Sequence, residues 1–172
     1  MPPHTEPANP AALFVAPSAD LHAVPNSDGV NEQGADGPTV DDSGTKRTLD
    51  GTHAWNLDWD ADVGVIGGSV YEMQSSDDAD AIVQADVASS SELMRVAPGA
   101  HLATFDVPGV QGAVGVEDER PRPDGTTTTY TSVLFPVGIY FVEYTVIADH
   151  GHGPEVATRM AQAEAAHLRE LG

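Results

Sequence analysis

A run of two-residue alternation near the middle of the chain constrains the fold more than any other feature. Between Ala54 and Val65, apolar residues occupy the odd-numbered positions and polar residues or glycine occupy the even-numbered positions. The polar positions are Asn56, Asp58, Asp60, Asp62 and Gly64. Successive side chains of a β-strand point to opposite faces of its sheet, so the pattern predicts a half-buried strand. Both tryptophans, Trp55 and Trp59, are then expected in one core, while the aspartates face water.

Two long helices are predicted from apolar residues at helical spacing. The first is expected from about Asp77 to Met94, with Ser75 as its cap and an inner stripe that contains Ala79, Ile82, Val83, Val87, Ser90 and Met94. The second is expected from Gly153 to about Glu170, and Pro154 occupies its first position. Its inner stripe is predicted to contain Val156, Ala157, Met160, Ala161, Glu164 and Leu168.

Further strands are predicted around these helices. They cover residues 66–74, 101–105, 112–117, 126–135 and 139–147, with residues 118–125 as a polar loop and residues 136–138 as a hairpin connector. Strands joined by hairpins pair antiparallel. The predicted fold is therefore α+β, with an antiparallel sheet of five or six strands packed against the two helices.

The 172 residues suit one domain, preceded by a short leader. Residues 1–12 are rich in Pro, Ala and polar residues and are expected to be a disordered leader. Residues 13–172 are expected to form the domain, in which Pro17 and Ser18 open a short helix. Residues 26–51 are dominated by Asp, Gly, Asn and Thr, which predicts a long polar loop.

Charge and composition exclude several partners. The chain has 27 acidic residues against 7 Lys and Arg, a net charge of −20, which repels nucleic acid and anionic membrane surfaces. The absence of cysteine excludes disulfides and thiolate chemistry. No apolar stretch reaches the roughly 18 residues of a membrane span, and the first ten residues lack the pattern of a secretory signal. Such acidity is typical either of a salt-adapted protein or of a high-GC genome.

Two groups of residues have the chemistry of metal ligands. Asp58, Asp60 and Asp62 resemble the start of a calcium loop, but the sixth position is Val63 rather than Gly and the twelfth lacks the required Glu. A solvated strand face is the favoured interpretation of these aspartates, with a weak cation site as the alternative. His150 and His152 form an H-x-H pair beside carboxylates, and zinc would need a third ligand that the pattern does not supply. A glycine-rich turn between strand and helix is the favoured interpretation of this segment, with a metal site as the alternative.

No pattern predicts catalysis. The segment from Gly67 to Tyr71 lacks the closing glycine of a nucleophile elbow, and acidic residues are too abundant for any pair to be singled out as acid and base. The chain is therefore predicted to be a non-enzyme without a cofactor. A metal-dependent hydrolase using His150 and His152 is a further alternative.

Several segments resemble exported actinobacterial lipoprotein and sensor-type domains, including those attached to envelope serine/threonine kinases. They are residues 107–113 (VPGVQGA), 134–143 (LFPVGIYFVE), the closing helix over 156–171, the helix over 76–88 and the short helix over 17–21. The resemblance implies a non-catalytic domain at the outer face of the cell membrane. It also implies a hydrophobic or envelope-derived ligand between sheet and helix.

These observations predict an extracytoplasmic ligand-binding or sensor-type domain. Its pocket is expected between the sheet and a long helix, near Tyr140, Val142 and Tyr144. The alternative is a cytoplasmic structural or interaction module of a salt-loving organism, whose charge is adapted to its solvent.

Overall fold

The computed structural model describes residues 9–42, 45–96, 98–148 and 152–171. Within these ranges the chain forms two 3-10 helices, Pro10–Leu13 and Ala19–Leu21, followed by strands and two α-helices. The strands are β1 (Val24–Pro25), β2 (Asn31–Gln33), β3 (Thr39–Asp42), β4 (Thr45–Thr48), β5 (Gly51–Ala61), β6 (Gly64–Met73), β7 (His101–Phe105), β8 (Val114–Pro121), β9 (Thr127–Val137) and β10 (Tyr140–Ala148). The helices are α1 (Ser76–Val96), between β6 and β7, and α2 (Gly153–Leu171), after β10.

Eight strands form one antiparallel sheet in the order β1-β5-β6-β10-β9-β8-β7, with β2 also paired to β5. The predicted α+β class with an antiparallel sheet is confirmed, but the predicted strand count of five or six is too low. The two additional strands are β1, at Val24–Pro25, and β2, within residues 26–51 that were predicted to be a loop. In the same predicted loop, β3 pairs with β4 as a separate two-stranded sheet. These strands are too short to show the apolar alternation that identifies a strand.

The predicted tryptophan strand is in fact a hairpin. The chain turns at residues 62 and 63, and Val65 pairs with Asp60 on the face opposite the tryptophans. Gly64 permits this turn because its φ is +121° and a Cβ there would lie 2.1 Å from the carbonyl oxygen of Ile147. The prediction of one strand from Ala54 to Val65 is therefore wrong at its end.

The two helices cover opposite faces of the sheet. Helix α2 packs on the face that carries Trp55, Trp59, Phe135 and Tyr144, and its predicted inner stripe is buried throughout. Helix α1 packs on the other face, against residues such as Leu134 and Phe141. Of its predicted stripe, Ala79, Ile82 and Val83 are buried, and Val87 and Ser90 are partly buried. No helix in the described ranges is both long enough and apolar enough to cross a membrane.

The first half of the predicted loop over residues 118–125 is strand. β8 continues to Pro121 because Asp118 to Pro121 pair with Tyr130 to Thr127 of β9. Charged residues tolerate this position because the strand end is at the margin of the core. The hairpin between β9 and β10 is confirmed, with its connector at Gly138 and Ile139 and a φ of +58° at Gly138.

Candidate functional site

A cavity of about 180 Å³ lies between α1 and the sheet. Its floor is formed by alternate residues of β8, β9 and β10, and its roof by Asp86 and Ser90 of α1. The complete lining is Asp86, Ser90, Leu102, Val116, Asp118, Arg120, Tyr130, Ser132, Leu134, Glu143 and Thr145. Strand alternation explains why polar and apolar floor residues share this face, since each strand sends every second side chain towards α1.

Hydroxyl groups and one carboxylate form a connected network on the floor. The hydroxyls of Ser132 and Thr145 lie 2.7 Å apart on neighbouring strands. The Thr145 hydroxyl also donates to Oε1 of Glu143, at 3.1 Å. These hydrogen bonds hold the Glu143 carboxylate at the cavity surface.

An ion pair forms the β8 side of the cavity. The guanidinium of Arg120 donates from Nε to Oδ2 of Asp118 at 2.7 Å, and its Nη2 donates to the same oxygen. The guanidinium also lies over the ring of Tyr130, 4.7 Å from its centroid. Hydrogen bonding to Asp118 raises the pKa of Arg120. The Arg120 cation is therefore already neutralised and held in place by its neighbours on β8 and β9.

The remaining carboxyl groups are destabilised as anions by their surroundings. Burial is the main cause that raises the pKa of Glu143, and the charge of Asp86 adds to it. Burial also raises the pKa of Asp86. Tyr71, beside this pair on β6, has a raised pKa because of burial and the charges of Glu143 and Asp86. The neutral forms of Asp86 and Glu143 are therefore favoured at the end formed by α1 and β10, and a positive charge placed there would favour their anions.

An adjoining cleft of about 230 Å³ shares Glu143 and Thr145 with the cavity. It extends along the same face towards β5, where Asp58 is partly buried. Burial and the charge of Asp60 raise the pKa of Asp58. The aspartate face of β5 was predicted to face water. In the structure, part of it lines a concave surface that continues into the cavity.

The residues predicted to bind a ligand lie on the opposite face of β10. Val142 and Tyr144 are fully buried against α2, and Tyr140 is partly buried beside that core. The Tyr144 hydroxyl donates to Oε2 of Glu164 at 2.8 Å. No cavity described above is lined by these three residues, so their role as ligand contacts stays a prediction.

The residues predicted to bind metal are spread over several surfaces. Asp62 accepts a hydrogen bond from His22 at 2.6 Å and lines an open cleft of about 650 Å³ together with His152. Asp58 and Asp60 lie on β5, while His150 falls outside the described residues. Among the residues that the structure describes, no three His, Asp or Glu side chains are placed to hold a metal ion together.

The cavity residues were not predicted from the sequence, because the ligand pocket was expected beside the apolar face of β10. A signal was present in β10, where Glu143 and Thr145 occupy the polar parity of an otherwise apolar strand. Ser132 and Tyr130 repeat this pattern on β9, in register with Thr145 and Ile147. Polar residues at adjacent register positions on a face that a helix covers indicate a polar space beneath that helix.

Comparison with known proteins gives a match in fold. No family model matches the chain, and no curated protein matches its sequence. Among solved structures, the extracellular domain of PknH from Mycobacterium tuberculosis is similar, with a TM-score of 0.54 and 15% sequence identity. The similarity covers 94% of this chain and 93% of that domain. It agrees, at the level of fold, with the resemblance to kinase-associated extracellular domains.

Proposed function

We propose that this chain is a non-catalytic, extracytoplasmic ligand-binding domain and that the cavity under α1 is its binding site. The cavity carries the proposal, because hydrogen-bonding groups from four elements converge on one concave space. The similarity to an extracellular domain over 94% of the chain supports a location outside the cytoplasmic membrane. Both observations favour a sensor-type or accessory role.

The arrangement of polar groups favours binding over catalysis. The Arg120 guanidinium is bound to Asp118, and the two cavity hydroxyls are hydrogen-bonded to each other. No described histidine lines the cavity, and the one carboxylate beside these hydroxyls, Glu143, is hydrogen-bonded to Thr145 with no catalytic histidine between them. These groups can hold a polar molecule without changing it.

The size and lining of the cavity restrict the ligand. Its 180 Å³ correspond to about six water molecules, which is below the usual range for drug-sized ligands. Its polar lining favours a small polar ligand over the hydrophobic ligand that the family resemblance implies. An envelope-derived molecule of this size fits the proposal.

Filling the cavity tests the proposed function. Ser90→Trp places an indole in the roof, and Ser91→Trp makes the same change at the next, exposed position of α1. Each protein is isolated from its source cells, denatured, and the released small molecules are compared by mass spectrometry. We expect one molecule to accompany the natural chain and the S91W control but to be absent from S90W. Equal amounts in all three, or no molecule in any, would contradict the proposal.

The location is tested separately. Fractionation of the source cells and intact mass measurement should recover the protein from the envelope, with an added lipid or after cleavage of a longer precursor. Recovery of an unmodified chain from the cytosol would contradict the extracytoplasmic proposal.

The net charge of −20 favours a second candidate, a cytoplasmic module adapted to high salt. Such a module should lose its fold in dilute buffer, because repulsion between its carboxylates is less screened at low ionic strength. Circular dichroism between about 10 mM and 1 M salt distinguishes the two, since Debye lengths fall about tenfold over this range. A fold that is unchanged at low salt would argue against the salt-adapted module.

A further inference from the structure

The ionisable groups that line the cavity do not balance in charge. Three carboxylates, Asp86, Asp118 and Glu143, face one guanidinium, that of Arg120. Arg120 is bound to Asp118, and no described Lys, Arg or His forms an ion pair with Asp86 or Glu143. When all four groups are ionised, the cavity lacks a cation at the end where α1 faces β10.

A buried acceptor at the opposite end is also unpartnered. Asp118 is only 7% exposed, and its Oδ2 accepts both hydrogen bonds from Arg120. Its Oδ1 is buried and accepts no hydrogen bond from any described residue. A buried oxygen without a donor is unfavourable, and such a group in a cavity wall indicates a donor that a ligand or a water supplies.

We infer that the cavity takes a small polar molecule that carries a protonated primary amine and at least one further hydroxyl or N–H donor. The amine would lie between Asp86 and Glu143, and the further donor would reach the hydroxyls of the floor or Oδ1 of Asp118. This inference rests on the proposed function and specifies the chemical class of its ligand. Leu102, Val116 and Leu134 provide apolar walls for the carbon skeleton.

Other charges around the cavity agree with this assignment. Arg120 is turned towards Asp118 and Tyr130, so it does not neutralise the carboxylates at the α1 end. Tyr71 of β6 and Asp58 of β5 are further ionisable side chains on that face, and neither is a cation at neutral pH. Arg122 is a cation, but its guanidinium donates to the Thr128 hydroxyl near the start of β9. Burial disfavours the charged forms of Asp86 and Glu143, and the charge of Asp86 adds to this effect at Glu143; a bound cation would favour both anions. An anionic ligand would meet repulsion instead.

Titration by NMR with matched probes tests this inference. The probes are ethanolamine and glucosamine, with ethylene glycol and glucose as their neutral counterparts, in about 150 mM salt to screen surface charge. Amide shifts of residues 130–134 and 143–145 report on the cavity. The variant Glu143→Gln removes one cavity carboxylate, and Glu155→Gln makes the same change at an exposed position of α2.

We expect an amine probe to shift the cavity amides saturably and to bind at least tenfold more weakly to E143Q, with unchanged binding to E155Q. Equal binding to E143Q and the natural chain would overturn the inference, because the amine would then respond only to surface charge. Localised binding of a neutral probe as tight as that of its amine would overturn the inference and leave the proposed function standing. Shifts from none of the four probes would overturn the inference, and the proposed function would then be decided by the cavity-filling variants.

Discussion

The buried contact between α2, β10 and the N-terminal segment gives the sharpest prediction about stability. Oε2 of Glu164 accepts hydrogen bonds from the Tyr144 hydroxyl and from the backbone N–H of Val15, each at 2.8 Å. Glu164 is 0% exposed, and its Oε1 has no hydrogen-bond partner among the described residues. Burial raises its pKa, while these two hydrogen bonds lower it. We expect the hydroxyl of Tyr144 and the carboxyl of Glu164 to be energetically coupled.

The magnitude follows from the bond that Tyr144→Phe removes. A hydrogen bond to a charged group contributes about 1.5–3 kcal/mol, so this variant should lower the free energy of unfolding by that amount. In a Glu164→Leu background the buried tyrosine hydroxyl has no carboxylate to meet, and removing this unpaired donor should be neutral or should stabilise the protein by up to about 1–3 kcal/mol. The unpaired N–H of Val15 is present in the single and the double Leu variant and cancels. The expected coupling energy is therefore at least about 1.5 kcal/mol.

Urea unfolding of the four proteins in this cycle, followed by tryptophan fluorescence, measures the coupling. Trp59 stacks near Tyr144, with ring centroids 6.3 Å apart, so the signal reports on this part of the core. Tyr140→Phe, four residues earlier on the same strand face, serves as the matched control in both backgrounds. A coupling energy below about 0.5 kcal/mol, or an equal value for Tyr140, would refute the argument, because separated sites add within that error.

Three further predictions follow from single residues. Gly64→Ala should lower the free energy of unfolding by more than the roughly 1–3 kcal/mol that backbone strain alone would cost, because the new Cβ would also collide with the Ile147 carbonyl. Gly125 has open space around it, so Gly125→Ala should show only the cost of strain in the same urea assay. Ser75→Ala should cost about 1 kcal/mol in thermal or urea unfolding, because the Ser75 hydroxyl accepts the N–H of Asp78 at the start of α1, and an unchanged stability would contradict the cap. The pKa of Glu143 is higher in the folded than in the unfolded protein, mainly because of burial. The contribution of this carboxyl group to stability is therefore fully present at a pH below the pKa of an unfolded glutamate, and it is lost as the pH rises through the pKa of the folded state. The stability of the natural chain minus that of E143Q should therefore fall over this interval, and a difference that rises with pH would contradict the sign.

Helix α1, which Ser75 caps, is an element that the local sequence largely determines. The bounds of α1 and α2 follow from caps, a proline at the first turn and apolar residues at a spacing of three and four. Every residue of the stripe predicted for α2 is buried, including Glu164, whose position in the helical repeat places it between buried residues, although Gly153 and Ala165 are buried as well. The partner of that carboxyl was not predictable, since it comes from β10 and from Val15.

The limits of local information are clearest at the turn between β5 and β6. Alternation continues in the sequence past residue 62, so it gives no sign that the chain reverses there. The reversal depends on Gly64 and on the approach of β10 to its backbone, which are tertiary contacts. In the same way, residues 118–121 form a strand because β9 offers hydrogen-bond partners, despite their charge.

The sequence by itself determined the fold class, the two helices and the division of each long strand into an apolar and a polar face. Only the tertiary structure decided which face contains the cavity. Glu143 and Thr145 have the polar parity in β10, but parity alone does not distinguish open solvent from a space beneath a helix. That distinction depends on where α1 crosses the sheet, which is set by the packing of Ala79, Ile82 and Val83 against residues distant in the chain. Such contacts depend on strands that are distant in the chain lying in register, and for that reason the local signal in β10 did not by itself identify the site.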